Sequence, residues 1–114
     1  MYQLSDHCPR REGAVQGGKG LIHMKDLATK EQMYDHARLF SQITVNPGCS
    51  IGYHAHKDET EFYYILKGEA VFNDNGTEVT VHAGDVTATG YGESHSLENR
   101  TDEPVELVAL IVLK

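Results

Sequence analysis

The stretch Gly48-Cys49-Ser50-Ile51-Gly52-Tyr53-His54-Ala55-His56-Lys57-Asp58-Glu59-Thr60-Glu61 decides how this chain is read. His54 and His56 stand two apart, and on a β-strand side chains two apart point to the same face. Both imidazoles can therefore reach one point. Glu61 opens the next segment, Glu61-Phe62-Tyr63-Tyr64-Ile65-Leu66, which is rich in aromatic and branched residues and reads as a strand. There Glu61, Tyr63 and Ile65 share a face. If that face is the core, Glu61 is buried, and a buried carboxylate is costly unless it is paired or holds a cation. Two imidazoles beside one carboxylate make a divalent metal site.

A fourth residue converges from further along. In Ser94-His95-Ser96-Leu97-Glu98-Asn99 the residues His95, Leu97 and Asn99 share one strand face, so a core Leu97 brings His95 inward. The chain between and around these segments reads as more short strands. Ala37–Val45 alternates, with Ala37, Leu39, Ile43 and Val45 on one face and Arg38, Gln42 and Thr44 on the other, and Pro47-Gly48 ends it. Glu69–Phe72 and Thr77–Val81 flank Asn73-Asp74-Asn75-Gly76, where Asn-Gly signals a hairpin. Val86–Thr89, His95–Asn99 and Val105–Leu113 complete the set. Many short strands with Gly, Asn, Asp and Pro turns indicate an all-β sandwich or barrel.

The chain has 114 residues, enough for one domain and one modest core. Its formal net charge is −7 and Lys and Arg are scattered, so no basic patch for nucleic acid is expected. No apolar run reaches the ~18 residues of a membrane span. Met1 to Glu12 lacks the apolar core of a signal peptide, so a cytoplasmic location is expected. Two cysteines, Cys8 and Cys49, are too few for a disulfide scaffold and form no CxxC pair. Residues 1–36 read as an N-terminal arm that packs on the barrel or on a partner, and residues 37–114 as the barrel. In the arm, Gly13–Gly20 reads as a flexible turn, Leu21–Lys25 as a strand, and Asp26–Tyr34 as a helical turn with Thr29 at its N-cap.

The motifs resemble those of the cupin superfamily. The pattern G-x5-H-x-H-x3,4-E-x6-G is met by Gly48, His54, His56, Glu61 and Gly68. The pattern G-x5-P-x-G-x2-H-x3-N is met by Gly84, Gly92, His95 and Asn99, with Gly90 at the proline position. The 15 intervening residues, Glu69 to Ala83, match the shortest spacing in small cupins. The resemblance implies a double-stranded β-helix, or jelly-roll barrel, with a divalent ion held by His54, His56, Glu61 and His95. It is similar to germins and oxalate decarboxylases, which use manganese on three His and one Glu. Mn is thus the first expectation, with Fe, Ni, Zn or Cu following. The implied activity is oxalate decarboxylase-like handling of a small carboxylate. Against it, those enzymes carry an arginine three residues before the first metal histidine, where this chain has Ile51. The alternatives are an Fe- or Ni-dependent dioxygenase and a non-catalytic binder of a small ligand or metal.

Two further residues are candidates for proton transfer or substrate orientation: Tyr63, on the inward face, and Glu93, in a loop at the barrel mouth. Arg38 falls on the outward parity, and Glu59 reads as a solvated loop carboxylate. Tyr53, Phe62 and Tyr64 have outward parity and suit the barrel exterior or a subunit contact. His7, His23, His36 and His82 read as surface or structural. Exposed sheet edges and an arm without its own core suggest a homodimer in which N-terminal strands pair across subunits.

Overall fold

The computed structural model describes residues 1–114. Ten antiparallel strands form two facing sheets: β1 (Arg10–Gly13), β2 (Ile22–Asp26), β3 (Ala37–Val45), β4 (Ser50–Ala55), β5 (Glu59–Lys67), β6 (Glu69–Asp74), β7 (Thr77–His82), β8 (Val86–Gly90), β9 (Ser94–Glu98) and β10 (Val105–Leu113). One sheet runs β1-β2-β3-β10-β5-β8 and the other β4-β9-β6-β7. This is the jelly-roll barrel. Strand alternation explains the layering. On β10 the residues Val105, Leu107, Ala109 and Ile111 are buried while Glu106, Val108, Leu110 and Val112 face away. The inward residues meet Ile43, Val45, Ile51, Ile65, Phe72 and Leu97 in one apolar core. No helix is long and apolar enough to cross a membrane.

Local chemistry sets the connections. Asn75 (φ 52°) and Gly76 (φ 98°) are the two central residues of the β6–β7 hairpin. Positive φ at both is what a two-residue hairpin of right-handed twist requires, and Asn-Gly supplies it. In the arm, Thr29 and Gln32 make a reciprocal box. The Thr29 N–H donates to Gln32 Oε1 (2.9 Å) and the Gln32 N–H to Thr29 Oγ1 (3.1 Å). Only hydrogen-bonded turns follow it, ending at Tyr34 and Asp35, both at positive φ.

The arm is part of the barrel. β2 pairs with β3, β1 pairs with β2, and Ile22 is fully buried in the core. These N-terminal strands are thus paired within the chain, where the sequence suggested pairing across subunits. The glycine loop is a pinned strap rather than a free turn. The Gly52 N–H donates to the Val15 carbonyl (3.1 Å) and the Ser50 N–H to the Lys19 carbonyl (2.9 Å). Strap and strand approach so closely that a Cβ on Gly52 would lie 1.9 Å from the Gln16 carbonyl oxygen.

Two irregularities re-aim side chains at the end of the barrel that holds the histidines. On β4, Ile51 pairs with Leu97 and His54 with His95, so three steps on β4 oppose two on β9. This bulge lets Ile51 and His54 face inward together, which plain alternation forbids. On β3 the register with β10 slips between Ile111 and Val112, leaving Arg38 without a cross-strand partner.

Candidate metal centre

His54 on β4, His56 just beyond it, Glu61 on β5 and His95 on β9 converge, and their donor atoms lie within 4.8 Å of one another. His95 is fully buried, His56 and Glu61 are nearly so, and His54 is half-buried. The three Nε2 atoms stand 3.0, 3.0 and 3.3 Å apart. Glu61 Oε1 lies 3.0 Å from His56 Nε2 and 3.1 Å from His95 Nε2. Bonds of about 2.1 Å to one ion would separate their donors by ~3.0 Å at right angles and by ~3.4 Å at tetrahedral angles. The observed spacings lie at the right-angle end, which fits a six-coordinate ion with positions left open.

The opposite side of each ring supports the same reading. His54 Nδ1 faces the Gly52 carbonyl at 2.6 Å, His56 Nδ1 faces Glu59 Oε2 at 2.5 Å, and His95 Nδ1 faces Thr89 Oγ1 at 2.9 Å. A carbonyl and a carboxylate only accept, so His54 and His56 carry their proton on Nδ1. Their Nε2 lone pairs then turn toward each other and toward Glu61. Lone pairs facing a carboxylate across ~3 Å repel unless positive charge sits among them. A divalent cation fits this donor set.

The electrostatics follow from burial and from these contacts. Burial lowers the His54 pKa, while the Glu61 carboxylate beside Nε2, ready to accept from a second proton there, raises that of His56. Burial alone would raise Glu61, but the His56 and His95 imidazoles beside it, which can take up positive charge, outweigh burial and hold the carboxyl at about 2. Glu61 is therefore an anion at any ordinary pH.

Tyr63 is buried, with its ring stacked on His95 at 5.0 Å. Burial, with the Glu61 charge beside it, pushes its ionisation well up. Phe72 meets His95 edge-on at 5.6 Å, so the imidazole is held by rings on two sides. Glu93 does not line the metal cavity. Its carboxylate accepts from the Gly90 N–H (3.2 Å) and from Asn75 Nδ2 (3.3 Å), and its carbonyl accepts from the His56 N–H (3.0 Å). A proline at position 90 has no N–H to give, so the Gly90 departure and the placement of Glu93 belong together. Asn99 is a staple: its side chain donates to the carbonyls of Val45 and Glu103 and accepts from Thr101.

Two residues stand elsewhere than the sequence reading put them. Glu59 is not a solvated loop carboxylate. It starts β5 with its side chain 13% exposed, and it joins Arg38 (2.8 Å) to His56 (2.5 Å). Arg38 does not point away from the site, because the β3 irregularity turns it to the cavity wall. That cavity of about 210 Å³ is lined mainly by apolar side chains, including Ile22, Leu39, Ile43, Ile51 and Ile111. Arg11, Gln16 and Arg38 are its polar wall residues apart from the metal-site side chains. Arg11 is bonded to Asp26. A larger, open groove lies over strand residues such as Arg10, Glu12 and Lys25.

Known proteins place this geometry. The cupin domain matches residues 41–112. The chain is 48% identical over 113 residues to the oxalate-binding protein of Thermotoga maritima, covering 99% of this chain and 93% of that protein. It is similar to the crystal structure of a predicted oxalate decarboxylase from Thermotoga maritima, with a TM-score of 0.95 and 44% identity over 100% of both chains. A sugar phosphate isomerase of the cupin superfamily from Silicibacter pomeroyi shares the fold, with a TM-score of 0.76 and 22% identity over 96% of this chain and 73% of that one. With both motifs, the barrel and a match running over most of its length, this chain belongs to the cupin family.

Proposed function

We propose that the protein holds one divalent metal ion with His54, His56, Glu61 and His95, and binds a small dicarboxylate of the oxalate class at the positions left open. The observation that carries this is the convergence of three Nε2 atoms and Glu61 Oε1 within 4.8 Å of one another, with the three Nε2 atoms 3.0–3.3 Å apart and Glu61 Oε1 3.0–3.1 Å from two of them, each imidazole being backed by an oxygen at Nδ1. Manganese is the first choice of ion, with iron and nickel after it. Supporting it are the mixed imidazole and carboxylate donors, the near-right-angle spacing, and the likeness to germin-type cupins. A bound ion supplies Lewis acidity and charge to fix a chelating carboxylate. The cavity of about 210 Å³ suits a small ligand. The ligand class comes from the relative called an oxalate-binding protein.

Binding is favoured over decarboxylation by the residues around the site. Ile51 occupies the wall where oxalate decarboxylases carry an arginine. Tyr63 is a poor acid because burial raises its ionisation, and it serves to orient His95. Glu93 is engaged in the Tyr91–Glu93 turn. The test is calorimetry of oxalate into Mn-loaded and chelator-treated protein, with CO2, formate and O2 followed in parallel. The reading expects metal-dependent 1:1 binding without turnover. Binding that ignores the metal overturns it. Formate release restores the decarboxylase reading, and O2 uptake the dioxygenase one.

The partner is a second copy of the chain. Across the outer face of the six-stranded sheet, Phe40, Leu110, Phe62 and Ala88 stand in one row and Val108, Tyr64 and Val86 in the next. Phe62 is 37% exposed, Tyr64 49% and Val86 66%. A contiguous apolar face of this kind matches another copy of itself across a two-fold axis, the apolar burial acting against the mutual repulsion of two chains of net charge −7. Sedimentation should give twice 12.7 kDa, and Tyr64→Glu should return a monomer. A wild-type monomer at all concentrations refutes the dimer.

A further inference from the structure

Arg38 and Glu59 are far apart in sequence, and neither belongs to a motif. In space they form a chain that ends on a metal-site histidine. Arg38 donates to Glu59 through two atoms, Nε to Oε1 and Nη2 to Oε2, both at 2.8 Å. Such a two-point clamp fixes the plane of the carboxylate as well as its position. Glu59 Oε2 then receives the His56 Nδ1–H at 2.5 Å. Glu59 is mostly shielded and Arg38 is nearly half exposed, so the chain runs from the cavity rim to a ring that is almost fully buried. The β3 irregularity is what makes Arg38 available, since it takes Arg38 out of the ladder beside Leu39.

The three imidazoles are not supported alike. His54 leans on a backbone carbonyl and His95 on a hydroxyl. Only His56 has a charged acceptor, and only that acceptor is itself clamped. A carboxylate behind an imidazole fixes its tautomer and ring orientation and makes the other nitrogen a stronger donor to a metal. We infer that Arg38 and Glu59 are positioning residues for the metal centre: Glu59 holds His56 with Nε2 aimed at the ion, and Arg38 holds Glu59.

This rests on the metal reading above, and the experiment separates the two. Glu59→Leu keeps the bulk and removes the acceptor, and Glu59→Gln keeps an acceptor and removes the charge. Arg38→Met removes the clamp alone. Mn2+ affinity is measured by calorimetry on each folded variant. The expected loss is about 10- to 100-fold for Glu59→Leu, with Glu59→Gln in between and Arg38→Met several-fold. The second readout needs no metal. In 15N-labelled, chelator-treated protein, the His56 Nδ1 proton should give a downfield signal protected from exchange. That signal should disappear in Glu59→Leu and persist in Glu59→Gln. If wild type takes up no metal, the metal reading fails and the His56 proton alone decides this inference. If Glu59→Leu does not fold, Arg38→Met and Glu59→Gln decide it. Affinities within twofold of wild type in the folded variants, or an unchanged His56 proton without Glu59, overturn it.

Discussion

Titrating the metal against thermal unfolding tests the centre most directly. One cluster offers one place for one ion per chain. Once free Mn2+ exceeds its dissociation constant, each tenfold increase adds about 1.4 kcal/mol to the folded state by mass action. Unfolding entropy is about 2.1 cal/mol/K per residue, so 114 residues give roughly 0.24 kcal/mol/K. The midpoint should therefore climb by about 6 °C per decade of Mn2+, read by differential scanning calorimetry from micromolar to millimolar metal. Glu61→Gln keeps the shape but loses the one anionic donor. If that costs at least ~100-fold in affinity, its curve moves two decades along the metal axis and lies ~12 °C below wild type at equal Mn2+. A chelator should bring wild type back to its metal-free midpoint. A flat wild-type profile, or a Glu61→Gln profile overlying it, would refute the convergence argument.

Other expectations follow from particular contacts. Glu59 is held at about 2, against an ordinary 4.5, chiefly by the hydrogen bonds from Arg38 and then by His56. The native state thus binds fewer protons than the unfolded chain between those values, so this stabilisation is complete above pH 4.5 and is lost as pH falls through 2. Metal-free Glu59→Gln should accordingly lose midpoint less steeply than wild type in an acid series over that range. Leu97→Ala opens a cavity at a fully buried position and should cost about 2–5 kcal/mol in urea titration with an unchanged m-value. Gly52→Ala drives a Cβ to 1.9 Å from the Gln16 carbonyl, next to the carbonyl that holds His54, so both stability and metal affinity should fall. Gly13→Ala, which meets nothing within 4 Å, is the control and should stay within about 0.5 kcal/mol of wild type.

Where the ladder is regular, the residue alternation along the chain told which way a side chain points. Glu61, Tyr63 and Ile65 on β5, and His95 and Leu97 on β9 with Asn99 just past its end, are buried as their parity required. The Asn75-Gly76 turn was legible for the same reason: its chemistry is local. Glu59 shares the parity of Glu61 and was missed because the strand was started at Glu61 instead of two residues earlier, whereas Arg38 was missed because its placement is not local. A bulge is decided by the register between two strands, and nothing in Ala37–Val45 alone announces that Arg38 drops out of pairing with β10. Ile51 and His54 pose the same problem on β4, where plain alternation would turn one of them outward. One signal was available. The motif places a metal ligand at position 54, and a strand starting at Ser50 that keeps Ile51 in the core needs an extra residue before that ligand; Gly52 is where the backbone can take it. Both irregularities lie at the metal cavity, where a regular strand would present only every second residue. The cavity needs Ile51 with His54, and Arg38 with Leu39, on the same side. The departures from alternation are therefore what builds the site: β4 supplies a ligand and an apolar wall together, and β3 supplies the clamp that reaches His56 through Glu59.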